Sequence, residues 1–230
     1  SIVIFGLNVN SWFSQNGSPY PGNYAIVARG VDYSTSGLGR VTFVEPSSAQ
    51  IGDKTYRTVI MPDGHEWMAE NLDFLPSDGS IELNPNGNKS TPAATYYNRD
   101  ETTYGWNGKK YGLLYNWYAA TALTIAGWHL PSPAEWNNLF TSIGGTSTAG
   151  KKLKSTTDWS QNGNGTDNYR FTVYPTGYYV DKNYFGIADF CQMWTSTSSR
   201  MCSFYNSNND ASINSANNVF ALAVRLVRDY

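Results

Sequence analysis

Few residues in this chain have the types and spacing for covalent or metal chemistry. His65 and His129 are its two histidines, and Cys191 and Cys202 its two cysteines. His65-Glu66 lacks the second histidine of an HExxH zinc site, and His129 sits in a Trp-His-Leu-Pro run. Both read as structural histidines. A reactive thiol needs a basic neighbour to hold it as thiolate, and the one such neighbour is Arg200. Oxygen donors for a structural calcium gather at Asp181-Lys182-Asn183 and along Asn162–Asp167. Asn-x-Ser/Thr triplets at Asn16, Asn88 and Asn164 occur at chance level. The expectation is therefore a non-enzyme that needs no cofactor, with those two acidic groups as the places where a structural calcium would sit.

The chemistry that does stand out is recognition. Trp194–Phe220 holds nine Ser or Thr and six Asn, with no Gly, Pro or Lys. Ordinary loops turn on Gly and Pro, strands alternate, and solvated faces are charged; this segment does none of these. A polar low-complexity loop is the bland alternative. Against it stands the mixed set of Arg, Met, Cys, Phe, Tyr, Asn and Asp just ahead of an orderly apolar run.

The elements that would carry this segment follow from local patterns. Residues 1–44 read as a small all-β piece, an incomplete sandwich or an element docked on the main domain, with turns at Asn16–Pro19 and Ser36–Gly39. Glu45–Gln50 reads as a linker. Lys54–Met61 is a strand that Asp63-Gly64 turns into His65–Leu72; residues 73–110 read as long ordered loop. Tyr111–Leu123 has helical apolar spacing. Ser132, Pro133 and Glu135 announce a helix start with a Ser-x-x-Glu capping box, ended by Gly144-Gly145. Arg170–Val180 reads as a strand pair or bent strand, and Phe220–Asp229 as a closing strand. The sum is α+β.

Composition narrows the function classes. The chain has 230 residues, 15% charged and 15% aromatic, with a net charge of -2. An ordinary globular chain is about 25% charged, so this one is charge-poor. Sixteen Lys plus Arg balanced by acids give no clustered basic face for nucleic acid. No run approaches the ~20 apolar residues of a membrane span, so no direct membrane insertion is expected. Surplus Tyr, Trp, Ser and Asn suits a recognition surface.

Six blocks in register carry a family resemblance: DGHEWMAENL (63–72), YGLLYNWYAA (111–120), GWHLPSPAEWNNL (127–139), LKSTTDW (153–159), ADFCQMWTSTS (188–198) and AVRLVRD (223–229). Together they resemble the Fibrobacter succinogenes major paralogous domain family. The resemblance implies a C-type-lectin-like fold, akin to formylglycine-generating enzymes, over residues 49–230, with residues 1–48 as a small N-terminal β region. It places Trp67, Trp117, Trp128, Trp136, Trp159 and Trp194 in the core. It is similar in particular to the variable proteins of diversity-generating retroelements, in which Asn codons scatter into Ser, Tyr, Asp, Phe, Cys, Arg and Ile between the Trp-Thr-Ser-Thr block and the last strand. Arg200–Asn218 fits that spectrum apart from Met201.

What the resemblance implies is a ligand-binding protein with a hypervariable face. That face would comprise Cys191, Gln192, Met193, Ser199, Arg200, Met201, Cys202, Phe204, Tyr205, Asn206, Asn208, Asn209, Asp210, Ser212, Asn214, Asn217 and Asn218. Phe204 and Tyr205 would be its anchors, and Arg200 with the Asn side chains its polar contacts. The ligand would be a protein or cell-surface molecule, met outside the cell on a bacterial surface or a phage particle. A fixed-specificity adhesin or glycan-binding protein of the same family is the alternative. Trp136-Asn137-Asn138 has a likeness to a calcium-lectin triplet, but no Glu-Pro-Asn or Gln-Pro-Asp accompanies it. A Cys191–Cys202 disulfide stays open at this stage, as does the oligomeric state.

Overall fold

The computed structural model describes residues 47–229. The expected β piece of residues 1–44, with the Asn16 triplet, lies outside them. The chain divides between Ser47 and Ser48, and the unit that starts at Ser48 is α+β, built mostly of sheet.

Its first sheet runs β1-β2-β3-β12. Ser48–Ile51 (β1) pairs antiparallel with Lys54–Ile60 (β2), which pairs with His65–Met68 (β3), and Val227–Asp229 (β12) closes the far edge. The expected linker at Glu45–Gln50 is thus corrected from Ser48 onward. Ala49 and Ile51 point inward, and Gly52 takes the left-handed conformation (φ +62°) that the tight turn requires.

Residues 73–110, expected as loop, contain short elements: Glu82–Leu83 (β4), Ala93–Thr95 (β5), a 3-10 turn at Tyr97–Arg99 and Glu101–Tyr104 (α1). The Tyr111–Leu123 expectation is half corrected. Leu114–Tyr115 (β6) pairs with β5, and only Trp117–Ala122 (α2) is helical, because the Asn116 side chain accepts from Ala119 N–H and caps the helix there.

Pro133–Ser142 (α3) begins as expected. Ser132 Oγ accepts from Glu135 N–H (3.2 Å), and Ser132 N–H donates to Glu135 Oε2 (2.7 Å). Gly144-Gly145 does end it, but Gly145 also opens Thr146–Leu153 (α4), which the sequence reading had missed. α3 and α4 cover one face of a five-stranded sheet ordered β11-β10-β9-β7-β8. Its strands are Thr176–Val180 (β7), Asn183–Ile187 (β8), Phe190–Trp194 (β9), Arg200–Tyr205 (β10) and Ala211–Ser215 (β11).

Phe220–Asp229 is not one strand. Leu222 bridges Tyr115, Ala221 bridges Tyr179, and Ala223 bridges Met193; Val227 then pairs with Trp67 and His129. The segment is a seam joining all three sheets. At its centre Arg225 is fully buried. Its Nε donates to Asn71 Oδ1 (2.8 Å), its terminal nitrogens donate to the Phe171 and Thr172 carbonyls, and its guanidinium lies 4.6 Å from the Phe171 ring. Burial lowers its pKa to about 10.

Of the six tryptophans expected in the core, Trp67, Trp136, Trp159 and Trp194 are buried. Trp117 and Trp128 are half-exposed, which corrects the expectation for those two.

Candidate ligand-binding face

The segment that looked least like structure forms a hairpin. β10 pairs antiparallel with β9 on one side (Cys202 opposite Met193, Phe204 opposite Cys191) and with β11 on the other (Cys202 opposite Ile213, Phe204 opposite Ala211). Alternation then sorts the side chains into two faces. Cys191, Met193, Cys202, Phe204 and Ala211 turn inward and join the core under α3 and α4. Phe204 packs edge-on to Trp136 and Phe140, with ring centroids 6.5 and 6.4 Å away.

That geometry corrects the expected site. Phe204 is a core residue, not an anchor, and Cys191, Met193 and Cys202 are withdrawn from display in the same way. Gln192 and Met201 lie on the opposite face but are also buried there. A contiguous run of a strand places every second side chain on each face, so the whole run was never available to one surface. Both thiols are free. Burial pushes the Cys191 thiol up to about 11 and the Cys202 thiol well above its ordinary value, so neither is a thiolate at neutral pH.

The remaining expected residues do reach the surface. Ser199, Arg200, Asn208, Asn209, Asp210 and Asn217 are exposed; Tyr205, Asn206, Ser212, Asn214 and Asn218 are half-buried. They fall on the outer sheet face, the 206–210 turn and the two ends of the hairpin. The turn closes without glycine because Asn208 Oδ1 accepts from Asp210 N–H (3.1 Å), a side-chain mimic of a backbone turn.

The turn is gripped through its main chain. Lys154 is buried next to α4; its ammonium donates to the Tyr205 carbonyl (2.8 Å) and the Asn208 carbonyl (2.9 Å), 4.9 Å from the Trp159 ring. Lys151 N–H donates to the Asn209 carbonyl (3.0 Å). Gly150 lets α4 come so close that a Cβ there would lie 2.2 Å from the Asp210 oxygen. By contrast, the side chains of Arg200, Tyr205, Ser207, Asn209 and Asp210 make no hydrogen bond among the described residues.

Asn206 and Asn218 are tied by their side chains to the ends of the hairpin, beside the local bonds of Asn208, Asn214 and Asn217. Asn206 Nδ2 donates to Ser160 Oγ (2.7 Å) and Asp189 Oδ1 (2.9 Å). Asn218 Oδ1 accepts from Ser199 N–H (2.8 Å) and its Nδ2 donates to Ser198 Oγ (2.9 Å). They hold the hairpin's two ends.

Beside the hairpin the sheet carries a row of rings that sequence reasoning missed. Phe185 and Phe220 stack on either side of Tyr178 (5.5 and 5.9 Å), and Phe190 meets Tyr205 edge-on at 5.5 Å. Phe185 is 43% exposed. Lys154 was also missed; its only signal was a lysine directly after the apolar Ala149–Leu153 face of α4.

The histidines have carboxylate neighbours: His65 lies 3.4 Å from Asp63 and 3.6 Å from Asp229, and His129 Nε2 lies 2.6 Å from Glu135 Oε1. Among the described residues no group of three His, Cys, Asp or Glu could hold a metal. In the two groups weighed for calcium, Asp167 accepts from the Thr172 N–H and hydroxyl, and the Asp181 carbonyl accepts from Asn183 Nδ2.

Fold and face define a mixed α+β domain whose hairpin turn is gripped through its main chain while Arg200, Tyr205, Asn209 and Asp210 point their side chains outward without hydrogen-bond partners among the described residues. Residues 63–228 match the Fibrobacter succinogenes major domain, and the chain belongs to that family. No curated protein and no solved structure matches it.

Proposed function

We propose that this is a non-enzymatic ligand-binding protein of C-type-lectin-like architecture, met outside the cell on a bacterial surface or phage particle. Its variable face is the β10–β11 hairpin with the adjoining Ser199, Arg200 and Asn217, diversified by a retroelement. One observation carries the reading: Lys154, Lys151 and Gly150 hold the 205–210 turn by carbonyl oxygens and close approach. Main-chain contacts are indifferent to the side chains they carry, so the exposed positions can change identity while the backbone stays put. Burial of both thiols in neutral form supports the non-enzymatic part.

The test is a library randomised at Arg200, Tyr205, Asn209, Asp210, Ser212 and Asn214, with Asn208 kept to close the turn, displayed on yeast and sorted for folding and for binding to an arbitrary protein target. Most members are expected to stay folded and binders to emerge. A library in which most members unfold overturns the proposal. At the gene level, a near-copy of the segment beside a reverse transcriptase, differing at adenines, establishes the diversification. The alternative, a fixed-specificity adhesin, draws support from Asn206 and Asn218, whose side chains serve the scaffold.

A further inference from the structure

A second candidate site lies away from the hairpin, between the end of α2 and the start of α3. It is an open cavity of about 510 Å³, within the ~300–1,000 Å³ of small-molecule sites. Its apolar wall is Leu123, Ile125, Leu130 and Trp128; its polar wall is Glu135, His129, Ser132, Thr124 and Ser196.

The polar wall is preorganised. Glu135 Oε1 takes the His129 Nε2 contact at 2.6 Å and Oε2 accepts from Ser132 N–H, so the carboxylate cannot rotate. Burial pushes its pKa up, but these hydrogen bonds outweigh burial and hold it below the ordinary value. Each carboxylate oxygen keeps a further lone pair. The Ser132 hydroxyl is engaged with Glu135, whereas the hydroxyls of Thr124 and Ser196 donate to no group among the described residues.

The charge pattern discriminates among ligands. No Lys or Arg lines the cavity, which disfavours an anion. A cation is disfavoured too: the Trp128 ring already carries the Arg228 guanidinium at 4.7 Å, and Glu135 is already engaged by His129. A purely apolar ligand would strand the carboxylate and the Thr124 and Ser196 hydroxyls. A neutral ring with an apolar face and a fringe of hydroxyls satisfies both walls.

We propose that this cavity is a calcium-independent site for a neutral saccharide, with one pyranose ring against Trp128 and its hydroxyls on Glu135 and the neighbouring serines and threonine. The inference is independent of the hairpin's role.

The test is calorimetric titration of the whole protein with cellobiose, maltose, lactose and chitobiose in EDTA. At least one is expected to bind with a Kd of about 1 mM. Glu135→Gln keeps a side chain that serves the capping box, and Trp128→Phe keeps a ring; each should weaken binding about tenfold, while Lys109→Ala, exposed and outside both sites, leaves it unchanged. The proposal is overturned if none of the four binds at about 20 mM, if both cavity variants bind normally, if Lys109→Ala abolishes binding, or if choline binds in place of the sugars.

Discussion

Replacing Lys154 with Met removes the ammonium that grips the hairpin turn while keeping a stem of similar length. The lost interactions are two hydrogen bonds from a charged donor, at 2.8 and 2.9 Å, each worth about 1.5–3 kcal/mol. Against this gross loss of about 3–6 kcal/mol stands the desolvation that the buried ammonium no longer suffers, itself several kcal/mol. The Tyr205 and Asn208 carbonyls are also left without this donor. The net expectation is a loss of about 3 kcal/mol, which for a domain of this size lowers Tm by roughly 6–12 °C. Urea denaturation measures the loss, and hydrogen exchange at amides 206–210 shows whether it falls on the turn. A loss below about 1 kcal/mol, or one that leaves exchange in the turn unchanged, refutes the main-chain grip.

The same residue gives a pH signature. Burial, with a smaller push from Lys151, lowers the Lys154 pKa to about 8, whereas an unfolded lysine titrates near 10.4. Between those values the unfolded chain holds a proton that the folded chain has released, so stability rises with pH. This contribution is complete above the unfolded value and is lost as pH falls through about 8. The stability gap between wild type and Lys154→Met should therefore widen across that window; a constant gap counts against the assignment.

Three further outcomes follow from burial. Phe204→Ala should cost about 3–5 kcal/mol in chemical denaturation and Tyr205→Ala under about 1, reversing the equivalence the sequence suggests. Neither cysteine should react with a thiol reagent at neutral pH until denaturant unfolds the protein; rapid labelling of the native state would contradict their position. Arg225→Met leaves Asn71 Oδ1 and the Phe171 and Thr172 carbonyls without their donor and should cost about 3–5 kcal/mol, whereas a near-neutral result would show that the seam tolerates an apolar side chain there.

Signals that are local in sequence were legible. The Ser132–Glu135 capping box, the Asp63-Gly64 turn and the β2 run all depend on residues within a few positions of one another, and all appear in the structure. What failed depends on partners far away. Ser48–Gln50 looks like linker because β1 is defined by pairing with β2. Phe220–Asp229 looks like one strand because nothing local says that its pairing partner changes three times. In β10, Met201 and Ser203 on the outer face are as buried as Cys202 and Phe204 on the inner one, so polarity does not alternate and parity is hidden. The unusual composition marks the hairpin segment in the sequence; which half of its residues faces solvent could not be read there.

The seam has a bearing on synthesis. Residues 221–227 touch strands drawn from all three sheets, and they follow the hairpin in the reading frame. The ribosome therefore completes residues 199–218 before the piece that locks the sheets together. An insertion or deletion that shifts the frame within 199–218 replaces Ala223, Arg225 and Val227 with unrelated residues and leaves nothing able to close the fold. Only a frame-preserving change in that stretch leaves the seam residues in place, so the fold itself would select for frame in the segment we propose to be variable.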